Sequence, residues 1–394
     1  MTDLEPDQHL SGPQASEESP EGASEESPEV ASEEISEASQ ESPGEASEVS
    51  RQEASEESSE EASVFARADT APEHILDDSI TIIELEKAVL APVRRVVLGQ
   101  DHVIRQMVVT LLARGHALIE GVPGTAKTLA VRALARTLGL QFGRVQFTPD
   151  LMPTDLIGVS LLDASRTSFE YRRGPIFTDL LLADEINRAP AKTQAALLEA
   201  MEERQVTVDG TTRPLPAAFA VFATQNPVEH EGTYPLPEAQ LDRFLMKIVV
   251  DYPDAEAERE ILDRYSEGFR NDDLGTFGIV DPLSSEAVVA HQAAVDRVHV
   301  DERIKQYITD LVRATRHAPS FVLGASPRAG VALFLASRAE AHVSGRDYVT
   351  PDDVKRLAFP VLRHRVLLTA DAEVEGRTSD AELSQLLQSL EAPR

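Results

Sequence analysis

The sequence predicts an α/β chain: a parallel sheet flanked by helices over residues 79–252, a smaller helical part over 253–394, and a disordered acidic tail over 1–78. Three observations carry that prediction. Leu180-Leu-Leu-Ala183 and Phe219-Ala-Val-Phe-Ala223 are short apolar runs that end abruptly in polar side chains, the pattern of strands buried on both faces. Beyond Pro253 such runs stop, and apolar residues recur at helical spacing instead, as at Ile304, Ile308, Leu311 and Val312, with Thr315 on the same face. The first 70 residues repeat a theme, Ala15-Ser-Glu-Glu-Ser-Pro-Glu21, Ala23-Ser-Glu-Glu-Ser-Pro-Glu29 and Ala54-Ser-Glu-Glu-Ser58, with almost no apolar surface to offset the entropy of ordering it. Its serines beside acids suit phosphorylation or partner binding, but composition alone names no partner, which favours a solubilising extension.

The sheet part is arranged around Gly121-Val122-Pro123-Gly124-Thr125-Ala126-Lys127-Thr128. In a phosphate-binding loop, small residues let backbone N–H groups turn inward, a lysine reaches the terminal phosphates, and the next hydroxyl holds Mg²⁺. Lys127 and Thr128 fill the last two positions, while Ala126 stands where the general template has glycine. Residues 114–120 supply a strand into the loop. Lys127 to Leu138 reads as a helix with Leu129, Ala130, Ala133, Leu134 and Leu138 on one face and Gly139 as its stop. Strand, turn and helix N-terminus aim backbone donors at an anion, so Gly121 to Leu129 form the expected ATP segment. No N-K-x-D motif is present to read a guanine.

Upstream, an amphipathic stretch from Thr81 to Val97 is broken by Leu98-Gly-Gln-Asp101 before a second helical stretch, His102 to Ala113. That break either lies close to a nucleotide base or is a plain interhelical turn. Downstream come a strand at Gly143 to Phe147, a loop at Pro149 to Pro153, and two alternating runs, Ile157 to Leu162 and Ser168 to Arg172, that form a hairpin with a polar tip at 163–167. A hairpin there interrupts a βαβ unit, so its tip projects into a partner or into solvent.

Leu180 to Ala183 delivers Asp184 and Glu185 at a strand's C-terminal end, the edge of an open α/β sheet where ligands sit. The pair divides the labour. Asp184 is the candidate Mg²⁺ residue together with Thr128, and Glu185 the candidate to polarise an attacking water. Pro190 to Glu203 reads as a helix with Ala195, Leu198 and Met201 inward, and Asp209-Gly210 as a hairpin turn. The strand from Phe219 ends at Asn226, on the same edge as the two acids, where it orients the water or senses a γ-phosphate, or simply makes a turn before Pro227.

Arg243 has two readings: a local salt bridge with Asp242 or Glu238, or a guanidinium presented to a neighbouring subunit's nucleotide. Ser326 and Pro327 suit the N-cap and first position of a helix, which puts Arg328 in its first turn, against the dipole. A nearby phosphate relieves that conflict. Thr350-Pro-Asp-Asp353 starts a further helix with a capping box.

The formal charge is −31, of which residues 1–78 hold −22 and residues 79–394 only −9. An acidic core counts against gripping nucleic acid by charge. With no cysteine there are no disulfides, thiolate metal sites or cysteine nucleophiles, and the histidines show no metal-ligand spacing. No apolar run approaches the ~18 residues of a membrane span and no leader pattern opens the chain, so a cytoplasmic protein is expected.

Together, the loop at 121–128, Leu180 to Glu185, Ala223-Thr-Gln-Asn226-Pro227, Leu236 to Phe244 and Gly324-Ala-Ser-Pro-Arg328-Ala329 resemble the AAA+ ATPases, and more narrowly their MoxR-type branch. In that branch alanine before the lysine is the usual form, so Ala126 identifies it. The resemblance spans about residues 80–370. It implies an AAA+ P-loop core with a C-terminal helical lid, Asn226 as sensor 1, Arg243 as arginine finger, and Arg328 as sensor 2 acting in its own subunit or a neighbour's. It also implies an insert hairpin around 155–175, a homo-oligomeric hexameric ring with ATP at each interface, and chaperone-like work on a protein client. The resemblance further implies that this work is maturation or metal insertion, with a von Willebrand A-domain partner. A nucleic-acid motor is the alternative; Arg166, Arg172 and Arg173 are its local support, and the core's −9 and the lack of a basic arm count against it. A non-catalytic scaffold suits the tail but not an intact Glu185, Asn226 and Arg243.

Overall fold

The computed structural model describes residues 85–162, 168–226, 234–270 and 282–393. The tail repeats, the hairpin tip at 163–167 and Pro227 lie outside them. A π-helical turn, Glu86–Leu90, runs into a short helix, Ala91–Val96, and after a break at Gly99 comes α1, Asp101–Leu112. There follow β1 (Ala117–Gly121), α2 (Lys127–Thr137), β2 (Phe142–Gln146) and β3 (Leu180–Asp184), then α3 (Ala191–Glu203), β4 (Ala220–Gln225) and β5 (Met246–Val250).

The five strands form one parallel sheet in the order β2-β3-β4-β1-β5. Because side chains alternate along a strand, the sheet feeds two cores. Ala117, Ile119, Leu180 and Leu182 join the cluster containing α1 and α2, whereas Leu118, Leu181 and Ala183 join Leu197, Leu198 and Met201 of α3. Leu180 to Ala183 are all fully buried. Both faces of the central β3 and β4 are covered, which is why those two strands read as apolar runs.

Two antiparallel hairpins leave this frame. Gly158–Leu162 pairs with Phe169–Arg173, and Gln205–Val208 pairs with Thr211–Pro214 across Asp209 and Gly210, both at positive φ as the tight turn requires. They lean on each other: the Ser160 hydroxyl donates to Asp209, and the Arg213 guanidinium sits 3.8 Å from the Tyr171 ring centroid. Val159, Leu161, Leu162 and Phe169 of the first hairpin are exposed.

Beyond Pro253 lie α4 (Ala255–Ser266), α5 (Glu302–His317), α6 (Pro327–Val343) and α7 (Pro351–Leu362), joined by helices at Ser285–Val295 and Ser379–Ser389. Helix α5 buries the expected stripe, with Tyr307 added. Thr350 and Asp353 form the capping box of α7. Glu340 of α6 is fully buried and accepts from Arg105 of α1, at 2.8 Å, and from Arg356 of α7. At the far end of α2, Gly139 adopts φ +64°, and a Cβ there would collide with the Leu283 carbonyl oxygen; the Leu283 N–H donates to Thr137 O at 2.9 Å.

Three local expectations need correction. Residues 153–157 form a short helix rather than ending a loop, because Asp155 caps Met152 N–H at 2.9 Å. Ala195 faces solvent; Thr193 and Gln194 are buried in its place, satisfied by Leu151 O (2.6 Å) and by Ile186 O and Tyr234 O (3.1 and 2.9 Å). Strand structure does not end at Pro253, since Phe321–Leu323 pairs with Leu367–Leu368.

Candidate active site

A cavity of about 520 Å³ opens at the C-terminal edge of the sheet, within the size range of small-molecule sites. Pro123 to Leu129 line one side of it, and Asp184, Glu185, Thr224, Gln225 and Asn226 the floor. The break before α1 closes another side through Leu98 and Gln100, so it does sit at this cavity. Ile261, Arg264 and Tyr265 of α4, with Phe269, complete the wall.

The loop's backbone explains its composition. Gly124 takes φ +85° with open space where a Cβ would be, and Ala126 takes φ +59°. A left-handed residue with a Cβ costs about 1–2 kcal/mol, and alanine has the smallest side chain able to bear it. Ala126 is also the N-cap of α2 and makes no side-chain capping bond, which leaves the helix's first amides to face an anion. Gly121 and Val122 do not line the cavity. Their carbonyls accept from Lys127 Nζ at 2.7 and 2.8 Å. Burial pushes the Lys127 pKa down, and Asp184 and Glu185 pull it back toward the charged form. Thr125 steadies the loop through Val122 O at 2.9 Å.

Neighbouring strands fix the two carboxylates. The β3–β4 register sets Ala183 opposite Ala223, so Thr224 comes beside the acids. Its hydroxyl donates to Asp184 Oδ1 at 2.6 Å and accepts from the Glu185 N–H at 2.9 Å. From β2, Arg144 Nη2 donates to Asp184 Oδ2 at 2.6 Å, and Gln146 donates to Glu185 Oε2, also at 2.6 Å. Arg188 adds a bond to the same oxygen at 2.9 Å. Glu185 itself is left-handed (φ 56°, ψ 51°), a strained conformation for any residue with a Cβ and of the kind that collects at working sites. The sequence reading had missed Thr224, Arg144 and Gln146. The one signal available was that all three fall within two residues of strand ends on this edge.

The residues fit Mg-nucleotide. No group of three or more His, Asp or Glu able to hold a metal alone occurs among the described residues. One carboxylate and one hydroxyl, Asp184 and Thr128, are instead the sparse protein set suited to Mg²⁺ that keeps phosphate and water ligands.

Arg243 and Arg328 are not at this cavity. They line a second one of about 240 Å³, between the C-terminal end of α3 and α6. Arg243 pairs with neither Asp242 nor Glu238: its Nε lies 2.9 Å from Glu202 Oε2, and Arg328 Nη1 lies 3.2 Å from the other oxygen of the same carboxylate. Ser326 occupies the N-cap position of α6, yet its hydroxyl makes no capping bond; it donates to Asp242 Oδ2 at 3.2 Å. Asp242 is held in turn by Arg365 Nε at 2.6 Å.

Comparison with known proteins agrees with this geometry. Residues 116–246 match the ATPase family associated with various cellular activities (AAA), and residues 313–386 match the AAA lid domain. The uncharacterized protein YeaC of Bacillus subtilis is 46% identical over 76% of this chain and 92% of its own. Chaperone MoxR1 of Mycobacterium tuberculosis is 45% identical over 79% of this chain and 82% of its own. A crystal structure from Cytophaga hutchinsonii, described as a candidate ATPase, superposes with a TM-score of 0.72 at 40% identity, covering 86% of this chain and 99% of that one. With its parallel sheet, phosphate loop and C-terminal helical lid, the chain belongs to the MoxR-type AAA+ ATPases.

Proposed function

We propose that this ATPase hydrolyses ATP in a Mg²⁺-dependent reaction and couples it to chaperone-like remodelling, maturation or metal insertion of a partner protein, working in the cytoplasm as a hexameric ring with a von Willebrand A-domain partner. The observation that carries the reading is the gathering of the loop, Asp184, Glu185 and Asn226 around one nucleotide-sized cavity, with two arginines paired elsewhere on the surface. The name of the mycobacterial relative supports the chaperone part. In this reading residues 1–78 are a tail, 79–252 the nucleotide-binding domain and 253–394 the lid.

Bound Mg-ATP supplies an electrophilic γ-phosphorus and a charge-neutralising cation. The chain's own groups do the rest by position and charge. Pro123 to Leu129 wrap the phosphates, Lys127 turns its ammonium from the Gly121 and Val122 carbonyls to them, and Thr128 and Asp184 hold the cation. Glu185 orients the attacking water and takes its proton, Asn226 aligns that water, and Thr224 keeps both carboxylates on the edge. Arg243 and Arg328 belong to the neighbour's nucleotide, because they share one carboxylate on a surface separate from their own subunit's cavity. Such trans arginines are worth ~10³–10⁵ in rate.

The test is ATP turnover per subunit against protein concentration. The reading expects a steep rise on assembly, its loss in Arg243→Ala with ATP still bound, and near-zero turnover in Glu185→Gln. A turnover number independent of concentration, and untouched in Arg243→Ala, would overturn it.

A further inference from the structure

The peptide on either side of Arg243 is gripped from the lid. Arg365, just beyond the end of α7, is buried, and its guanidinium places every one of its five N–H donors. Nε donates to Asp242 Oδ1 (2.6 Å), Nη2 to Asp242 O (3.1 Å) and Phe244 O (2.6 Å), and Nη1 to Leu245 O (3.0 Å) and Val361 O (2.5 Å). Three of those carbonyls bracket Arg243. The neighbouring His364 presents Nε2 to Phe244 O at 3.0 Å. A carbonyl can only accept, so Nε2 carries the proton. The other oxygen of Asp242 accepts from Ser326, two residues before Arg328. One guanidinium thus ties the segment carrying Arg243 to α7, and through Asp242 to the head of the helix that carries Arg328.

A structural role alone does not account for that arrangement. A buried arginine needs a single carboxylate and a few carbonyls to be tolerated. Here four of the five bonds go to the segment that holds Arg243, and the carboxylate gripped there also takes the Ser326 hydroxyl at the start of the helix that holds Arg328. We propose that Arg365 is the positioning residue of the Arg243–Arg328 pair, acting through Asp242 so that the two arginines of one subunit reach the neighbouring nucleotide as a single rigid fork. This inference rests on the trans role given to the pair above. Its consequence is that any lid rotation that moves α6 carries Arg243 with it.

Arg365→Lys keeps the charge beside Asp242 but cannot reproduce a planar five-donor fork. In assembled protein we expect kcat to fall about tenfold, inside the ~10²-fold that a 1 Å misplacement can cost. KM for ATP should stay within about twofold, since loop and cavity are not touched. In the Arg243→Ala/Arg328→Ala background, single-turnover measurement should show no further effect of Arg365→Lys, because the groups it positions are gone. An equal fall in both backgrounds, or a rise in KM that accounts for the loss, overturns the proposal and leaves Arg365 structural. If Arg365→Lys fails to fold, as read by thermal melting, Ser326→Ala decides. It removes only the 3.2 Å bond to Asp242 and should lower kcat several-fold through Arg328; unchanged kcat overturns the proposal. Assembly-dependent turnover surviving in Arg243→Ala alone refutes the trans reading instead, which separates the two failures.

Discussion

Glu202 offers the sharpest handle on the paired arginines. Its carboxylate meets Arg243 at 2.9 Å and Arg328 at 3.2 Å, and it belongs to the same subunit. A guanidinium cannot give its donors fully to a neighbour's phosphate while it serves this carboxylate, so docking must exchange one partner for the other. The three side chains are 31%, 47% and 37% exposed, which places each contact in the class of surface ion pairs worth 0.2–1 kcal/mol. Two of them together restrain the pair by roughly 0.4–2 kcal/mol. Glu202→Gln removes the charge and keeps the shape, and its amide oxygen still accepts a hydrogen bond. Assembly should therefore tighten by about 2–10-fold, toward the lower end of what that energy allows. Sedimentation across a protein dilution series, with ATP present and Glu185→Gln in both proteins, reads the midpoint without hydrolysis. The gap should shrink at ~1 M salt, where the screening length falls to about 3 Å. A midpoint that stays put or moves to higher concentration would refute the exchange and make Glu202 an organiser of the pair.

Further outcomes follow from the same geometry. Thr224→Val removes the hydroxyl between Asp184 and the Glu185 N–H; leaving that N–H and carboxylate oxygen unpaired costs about 1–3 kcal/mol each, so both melting temperature and turnover should fall while ATP binding persists. Full turnover would show that the hydroxyl does not set Glu185. Stability should also depend on pH through His116, which burial, with Arg204 nearby, holds at a pKa of about 3 against 6.5 in the unfolded chain. Its neutral ring accepts from Val221 N–H at 2.9 Å and faces Met201 O at 3.1 Å. A folded pKa below the unfolded one means the contribution is complete above pH 6.5 and is lost as pH falls toward 3, by up to about 1.4 kcal/mol per unit. His342, lowered to about 4 by burial and by His291, adds to the same slope. Urea midpoints between pH 6.5 and 5 should fall less steeply in His116→Gln, and equal slopes would remove His116 from the account.

What could be read in the sequence was what is local. The phosphate loop, α2 and the Asp184–Glu185 strand end each lie in one contiguous stretch, where composition, periodicity and punctuation agree. The partner of Arg243 could not be chosen from spacing for the complementary reason. Asp242 and Glu238 are near in sequence, but Asp242 is taken by Arg365, 123 residues away, and Arg243 turns to Glu202 at the end of another helix. Thr224 and Arg144 reach the acids only through strand pairing, and the Ile261 to Phe269 wall only through the return of α4 to the sheet edge. None of these depends on spacing along the chain. The inward Thr193 and Gln194 of α3 show the same limit, since polar residues are buried there by bonds to backbone that no hydropathy pattern encodes.

Gly139 carries a consequence for how strain travels. Helix α2 spans 11 residues, about 16 Å at 1.5 Å per residue, with the phosphate loop at one end and the Leu283 strap at the other. A helix that short is stiff along its axis, and the missing Cβ lets the strap lie directly against its end. The two ends therefore behave as a push-rod with no slack. An axial displacement of the loop should therefore be felt at the strap, which leads directly into the Ser285–Val295 helix.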